Sequence, residues 1–165
     1  MGRHANTSRQ FNTNTVPTAI WAVMEAMRDP ELFAALRAEV LTTYSPDSVT
    51  GAPVLDVQKM LTLPLLQSVF TETLRVHMCM NISRDIIMPI KIEGFTLPAG
   101  SWLQAPTEIS HMDEAIWARE GHPASEFWAA RHVRYVETKK ADGSIEHVPQ
   151  FAMAGRPNDW FPFGR

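Results

Sequence analysis

Residues 64–78, PLLQSVFTETLRVHM, are the stretch that decides the fold. Apolar side chains recur here at the three- and four-residue spacing that is typical of an amphipathic helix. These side chains belong to Leu65, Leu66, Val69, Phe70 and Leu74. Proline at position 64 suits the first turn of a helix, where its missing N–H has no helical partner to lose. The stretch therefore predicts a helix from Pro64 to about Met78.

Near the end of this helix, Glu72 and Arg75 stand three residues apart and are neighbours on its surface. The commonest interpretation of such a pair is an exposed ion pair that adds little stability. The pair also lies among apolar residues, which favours a buried pair with a further partner. Arg131 is the candidate partner, because a guanidinium can fix loops through several hydrogen bonds at once. The spacing leaves both interpretations open.

Two earlier helices are predicted. The first runs over Val16–Arg28, with Thr15 as its N-cap and Pro17 in its first turn. Asp29 and Pro30 then form the cap and first turn of a second helix. Its apolar stripe consists of Leu32, Phe33, Leu36 and Val40.

Short strands follow the helix at 64–78. Three pieces separated by Glu-Gly and Pro-Ala-Gly turns are predicted as strands, over 86–92, 94–96 and 101–105. Polar, broken stretches predict a loop over 42–57, an irregular region over 127–165 and a disordered N-terminus over 1–10. The sequence therefore predicts a mainly α fold with a small β-sheet.

Composition excludes several classes of protein. The chain has 165 residues, a formal net charge of −3 and 45% hydrophobic residues, as expected of one globular domain or a piece of a larger one. The acidic balance gives no electrostatic footprint for nucleic acid. Cys79 is the single cysteine, and the histidines lack ligand spacing, so no disulfide framework or zinc site is expected. No signal peptide or membrane-spanning stretch is predicted either.

The order of several short motifs resembles the C-terminal half of a cytochrome P450, a haem-thiolate monooxygenase. Glu72-x-x-Arg75 is similar to the family's Glu-x-x-Arg helix, and the later motifs follow in the family's order. They are Arg84 followed by Gly94–Gly100, His111-Met112-Asp113 with Trp117, Phe127–Arg131, and Phe161-Pro162-Phe163-Gly164. The resemblance implies a partial P450 fold, over 1–165, from the oxygen-binding helix to the start of the haem loop.

The resemblance also implies roles for individual residues. Glu72, Arg75 and Arg131 would form a structural triad that braces the haem loop, although Ala129-Ala130 replaces the family's Pro-Glu. Haem, an iron protoporphyrin, would be the cofactor. The residues expected to bind haem are Arg84, Phe161 and Gly164. Arg84 would bind a haem propionate, and its alternative role is a surface pair with Asp85.

The first helix would carry the oxygen chemistry. Thr15 falls on the family's threonine, but Asn14 replaces its carboxylate, and an amide orients water without delivering a proton at neutral pH. The run Asn14-Thr15-Val16-Pro17 resembles the fungal and sterol-hydroxylase branch that includes prostacyclin synthase. If the helix runs through Pro17, the carbonyl of Thr13 loses its helical donor and can hold a water. Thr15 as a plain N-cap is the simpler alternative.

Family resemblance implies haem-dependent hydroxylation of a small lipophilic substrate, and the branch resemblance implies a sterol-like or other lipophilic one. It implies O₂ and electrons from an NADPH-dependent reductase, at the cytosolic face of the endoplasmic reticulum membrane. The family's thiolate ligand lies four positions beyond Gly164, where this sequence has no cysteine. We therefore expect a fragment that does not form a haem-thiolate centre by itself. The alternative is a non-enzymatic remnant that acts as a helical interaction protein.

Overall fold

A computed structural model describes residues 5–155 and 158–162, with side chains described from Thr15 onward. Helices dominate the first half of this part of the chain, as predicted. The helices are α1 (Ala5–Arg28), α2 (Pro30–Leu41), α3 (Val57–Met60), α4 (Pro64–His77), α5 (Thr107–His111) and α6 (Glu114–Trp117).

The strands pair as four separate antiparallel ribbons within the described residues, rather than as one small sheet. They are β1 (Tyr44–Pro46) with β2 (Pro53–Leu55), β3 (Asn81–Asp85) with β6 (Trp102–Pro106), β4 (Ile90–Ile92) with β5 (Phe95–Leu97), and β7 (Val133–Lys139) with β8 (Ile145–Phe151). The mainly α prediction is therefore confirmed, and the single sheet is replaced by separate ribbons, of which β7–β8 contacts α4.

The first helix is longer than predicted. It begins at Ala5 and continues through Pro17, so Thr15 lies inside the helix and its prediction as an N-cap is wrong. Residues 5–10, predicted as disordered, also lie in this helix. Proline removes one backbone hydrogen bond, to the carbonyl of Thr13, and the helix continues through that position.

The second and fourth helices follow the sequence signals closely. Asp29 is the predicted cap of α2: its Oδ1 accepts hydrogen bonds from the backbone N–H of Glu31 at 2.9 Å and of Leu32 at 3.0 Å. α4 begins at the predicted Pro64 and ends at His77, where the extended backbone of Met78 stops it.

Polar and aromatic side chains join α1 to α4. Glu25 Oε1 lies 2.8 Å from His77 Nε2, and the ring of Trp21 stacks on the His77 ring at a centroid distance of 4.2 Å. Glu25 is buried in this contact. The apolar side chains that recur along α1 at helical spacing are exposed instead of forming this inner face: Ile20, Val23, Met24 and Met27.

Several strand predictions need correction. The region 127–165 was expected to be irregular, but it contains the longest ribbon, in which Val133 pairs with Phe151 and Lys139 with Ile145. The predicted loop at 42–57 contains β1 and β2, and only the last three residues of the predicted strand at 86–92 are extended. Most side chains of β7 and β8 are exposed, so these strands lack the alternation that reveals a half-buried strand.

A small apolar cluster lies between α6 and the chain after β8. Trp117, Ala124 and Ala154 are buried there, and Trp160 packs against them. A Cβ added at Gly155 would lie 2.5 Å from the Trp117 ring, so only glycine fits below the indole. This cluster places the residues after β8 beside α4.

Candidate functional site

One face of α4 carries polar side chains into the interior. Ser68, Glu72 and Arg75 follow at intervals of four and three residues, so they share a helix face. Their exposed fractions are 0%, 0% and 1%, and that of Arg131 is 2%. Phe70, expected on the buried apolar face, is instead about half exposed. The charged face of α4 is therefore a core face.

The carboxylate of Glu72 is the centre of this buried cluster. Arg75 donates to it twice, from Nε to Oε2 and from Nη2 to Oε1, both at 2.8 Å. Arg131 Nε donates to Oε1 at 2.7 Å, and the backbone N–H of Trp128 donates to the same oxygen at 3.1 Å. The structure thus brings together the three residues that the sequence singled out as a triad.

The other guanidinium donors reach backbone carbonyls. Arg75 Nη1 donates to the carbonyl of His111 at 2.6 Å, and Arg131 Nη1 donates to the carbonyl of Trp117. These carbonyls end α5 and α6, where no helical N–H is available to them. Further bonds go to the carbonyls of Pro123 and Glu126. The two arginines therefore cap two short helices and fix the loop after them.

Aromatic rings cover both guanidinium groups. The Cζ of Arg75 lies 5.5 Å from the centre of the Trp117 ring, and that of Arg131 lies 5.5 Å from the centre of the Trp128 ring. Such cation–π contacts are strongest where water is excluded. Each buried guanidinium group therefore makes hydrogen bonds along its edge and contacts an aromatic ring on its face.

The electrostatics of the cluster keep Glu72 ionised. Burial by itself would raise the pKa of its carboxyl group, but the contacts with Arg75, His132 and Arg131 outweigh burial and lower the pKa from 4.5 to about 2. Removing one member of such a network is costly, because the remaining charges stay buried without a partner. The cluster is therefore suited to structural support rather than to proton transfer at neutral pH.

His132 is a fourth member of the cluster that the sequence did not reveal. Its Nε2 lies 3.3 Å from Glu72 Oε2, without the alignment of a hydrogen bond, and its Nδ1 accepts from the backbone N–H of Ala154 at 3.0 Å. Burial lowers the pKa of the imidazole, so it is neutral at pH 7. Its position directly after Arg131 was the available signal.

His111 lies on the other side of Arg75 and is completely buried. Its Nε2 accepts from the backbone N–H of Phe161 at 3.4 Å, and its ring stacks on Trp160 at a centroid distance of 5.0 Å. Burial, and then the charge of Arg75, lower the pKa of His111 from 6.5 to about 4. Phe161, one of the predicted haem-loop residues, is therefore held against the cluster.

The other predicted site residues lie on separate elements. Thr15 is exposed on α1, and Asn14 is in the same helix with its side chain outside the described set. Arg84 is exposed on β3, where its Nη1 donates to the carbonyl of Ser83 at 2.9 Å. Gly164 lies outside the described residues.

Across residues 15–155 and 158–162, no group of three or more His, Cys, Asp or Glu side chains is arranged to hold a metal ion. Cys79 is exposed, two residues after the end of α4. Among the described helices, none combines the length and apolar character needed to cross a bilayer.

Comparison with known proteins identifies the family to which this chain belongs. The family model described as Cytochrome P450 matches residues 12–123, which is most of the chain. The chain belongs to the cytochrome P450 family. The match includes Glu72 and Arg75 of the buried cluster and ends before Arg131.

Individual P450 relatives extend the similarity over nearly the whole chain. Cytochrome P450 monooxygenase calL of Penicillium decumbens is 45% identical over 153 residues, which cover 93% of this chain and 27% of the relative. Cytochrome P450 monooxygenase fsoE of Humicola fuscoatra is 32% identical over 93% of this chain and 29% of the relative. Human steroid 21-hydroxylase is 27% identical over 77% of this chain and 25% of its own length. The chain therefore spans under a third of the length of these P450 relatives.

Proposed function

We propose that this chain supplies the part of a cytochrome P450 monooxygenase that runs from the oxygen-binding helix to the start of the haem loop. The observation that carries the proposal is the buried Glu72–Arg75–Arg131 cluster, which is tied to Phe161 through His111. In this role the cluster fixes the chain that leads into the haem loop. It holds position and takes no part in the reaction.

The residues of this chain fit haem in part. Arg84 offers an exposed guanidinium, which suits a propionate, because charge-assisted hydrogen bonds to a carboxylate are favourable. The iron ligand does not fit, because the one cysteine, Cys79, follows α4 and is not in the Phe161–Gly164 loop. This chain would therefore contribute propionate and loop contacts to haem, but not the thiolate that P450 chemistry requires.

In α1, the side chains of Thr15 and Asn14 would form hydrogen bonds with water at the oxygen-binding site. The Thr15 hydroxyl can donate and accept a hydrogen bond, whereas the Asn14 amide orients water and releases no proton at neutral pH. The helix runs through Pro17, so the carbonyl of Thr13 has no helical donor and is available to a water molecule. Bound haem supplies the binding and activation of O₂ in this family.

We also propose a substrate class, an electron donor and a location for the enzyme. Two P450 relatives are named a steroid 21-hydroxylase and a sterol 14-alpha demethylase. These names support a small lipophilic, sterol-like substrate for the proposed hydroxylation. An NADPH-dependent reductase would supply electrons, and the cytosolic face of the endoplasmic reticulum membrane is the proposed location.

The test is haem reconstitution of the purified chain. Iron protoporphyrin is titrated into the wild-type chain, the Arg84→Leu variant and a matched Arg37→Leu control on the exposed side of α2. We expect Arg84→Leu to weaken binding severalfold, because it removes a charge-assisted contact, and the control to match wild type. Equal affinities for all three proteins would contradict the role of Arg84.

The iron ligand is tested on the same samples. After reduction under carbon monoxide, we expect no Soret band at the position typical of thiolate-ligated haem. Such a band in the wild-type chain, lost in Cys79→Ser, would show that Cys79 binds the iron and would overturn this part of the proposal.

A helical interaction protein is the second candidate function. The observation that favours it is the apolar face of α1, where Val23 is 57% exposed and Met27 70% exposed. The proposed partner is a full-length member of the P450 family. Titration of labelled chain with a purified P450 relative tests it: Val23→Glu should abolish binding, and Val49→Glu, in an exposed loop, should not. Equal binding of both variants, or none by the wild-type chain, would reject this function.

A further inference from the structure

The chain after β8 is held by a set of contacts that the P450 motifs do not describe. We call residues 152–155 and 158–161 the approach segment, because they lead from β8 to the predicted haem loop. Ala152 N–H donates to the carbonyl of His132 at 2.7 Å, and Ser110 Oγ donates to the carbonyl of Asp159 at 3.2 Å. Arg119 also donates to the carbonyl of Ala154.

Two of these contacts end on ring nitrogens of buried histidines. His132 Nδ1 accepts from Ala154 N–H at 3.0 Å, and His111 Nε2 accepts from Phe161 N–H at 3.4 Å. Each contact requires a bare nitrogen, so each imidazole must be neutral with its proton on the other nitrogen. His132 must then carry its proton on Nε2 and His111 on Nδ1.

The surroundings of His132 favour its tautomer, whereas Nδ1 of His111 is buried without a hydrogen-bond partner among the described residues, so only the contact with Phe161 indicates the His111 tautomer. Nε2 of His132 lies 3.3 Å from Glu72 Oε2 without the alignment of a hydrogen bond, and the negative charge of this carboxylate favours the proton on that nitrogen. Arg75 and Arg131 are the cations near His132, and Arg75 is the cation near His111. These positive charges and the burial of both rings oppose a second proton on either imidazole.

We propose that His111 and His132 are positioning residues that anchor the approach segment to the Glu72–Arg75–Arg131 cluster through backbone amides. His132 sets the position of the start of the segment, and His111 sets its end. The proposal rests on the proposed function in one respect only, namely that the approach segment leads into a haem loop. The anchoring itself involves residues of this chain alone.

Imidazole tautomers provide the first test. The full 165-residue chain is labelled with ¹⁵N, and a long-range ¹H–¹⁵N correlation spectrum at pH 7 identifies the protonated nitrogen of each histidine. We expect the Nε2–H form for His132 and the Nδ1–H form for His111. The opposite tautomer, or a doubly protonated ring, at either residue would overturn its anchoring role. This measurement needs no variant, so it stands even where a substitution prevents folding.

Amide hydrogen exchange provides the second test, with variants that keep or remove the acceptor. Asparagine places its Oδ1 near the Nδ1 of histidine, and glutamine places its Oε1 near Nε2. We expect His132→Asn and His111→Gln to retain protection of Ala154 and Phe161. His132→Phe and His111→Phe should each raise exchange of the matching amide about fivefold to tenfold.

A control variant, and the match between each histidine and one amide, show whether the change in exchange is specific. His147→Phe, on exposed β8, should change neither amide. Unchanged Ala154 exchange in His132→Phe, or equal loss of protection in the Asn and Phe variants, would refute the anchoring by His132. The same outcomes at Phe161 would refute that by His111. Because no haem is present, failure of haem binding with intact protection would count against the proposed function alone.

Discussion

Two regions of this molecule reverse the usual distribution of polar and apolar side chains. α1 exposes Ile20 by 53%, Val23 by 57% and Met27 by 70%. α4 and the loop before β7 bury Glu72 and Arg131 by contrast, with exposed fractions of 0% and 2%. An apolar face of α1 is therefore at the surface, and a network of charged side chains is in the core.

The difference shows that burial here follows the completeness of hydrogen bonding. The buried carboxylate has four donors, and the two guanidinium groups have carbonyl acceptors at the ends of α5 and α6. Burying charge is tolerable only with such partners. α1 packs against α2 and α4 through its other face, so its apolar residues have no further surface of the described chain to cover.

The largest effect is expected in the buried region. Glu72→Gln should lower the free energy of unfolding by about 3–5 kcal/mol, because two guanidinium groups lose their shared counter-charge. Urea unfolding at pH 7 measures it. Glu146→Gln is the matched control, since Glu146 pairs with Lys140 at 3.2 Å on an exposed ribbon. We expect less than about 1 kcal/mol for this control. Equal losses in both variants would remove the distinction between the two regions.

Acid should also weaken the buried region. The folded pKa of His111 is about 4, against 6.5 ordinarily, so between these values the unfolded chain binds a proton that the folded chain does not. Stability should therefore fall as pH decreases from 6.5 to 4, by at most about 1.4 kcal/mol per pH unit from this site. Urea unfolding at several pH values gives the slope, which should be shallower in His111→Gln. An identical slope in both proteins would exclude His111 as its source.

Packing beside the cluster should be intolerant of a single methyl group. Gly155→Ala should cost about 1–3 kcal/mol, because its Cβ would overlap the Trp117 ring. Gly143→Ala is the control for backbone strain: its φ is +86° but its Cβ would meet open space, so about 1 kcal/mol is expected. Thermal unfolding compares the two. A smaller loss for Gly155→Ala than for Gly143→Ala would show that the loop moves away from Trp117.

The smallest effect is expected on α1. Met27→Lys should change the free energy of unfolding by no more than about 0.5 kcal/mol, because an exposed side chain loses little on becoming charged. Ala26→Lys, at a buried neighbouring position, is the control and should destabilise the chain clearly. Urea unfolding at pH 7 compares the free energies of unfolding of the two variants. A large loss for Met27→Lys would mean that the exposed face of α1 packs against something in solution.

The starts of α2 and α4 could be predicted, whereas the start of α1 and the direction of each helix face could not. Asp29 and Pro30 mark the start of α2, and Pro64 marks that of α4, because capping and proline effects depend on neighbouring residues alone. The apolar period of α1 is also local. It does not specify what lies opposite, and in this chain polar Glu25 and His77 form the contact with α4.

The site was only partly accessible from sequence. Glu72, Arg75 and Arg131 were singled out by motif order, and the structure brings them together. His111 and His132 were not predicted to bind backbone amides, because their partners, Phe161 and Ala154, are 50 and 22 residues away in sequence. The ribbon over 133–151 was missed because strands exposed on both faces carry no periodic signal.

The sequence by itself determined where α2 and α4 begin, the order of the P450 motifs and the absence of a second cysteine. These properties are encoded by short-range preferences or by composition. Tertiary structure alone decided that the charged face of α4 is buried, that Pro17 lies within α1, and that two histidines stay neutral. Each of those outcomes depends on groups brought together from distant parts of the chain, and the hydrogen bonds that they exchange determine which side chains leave water.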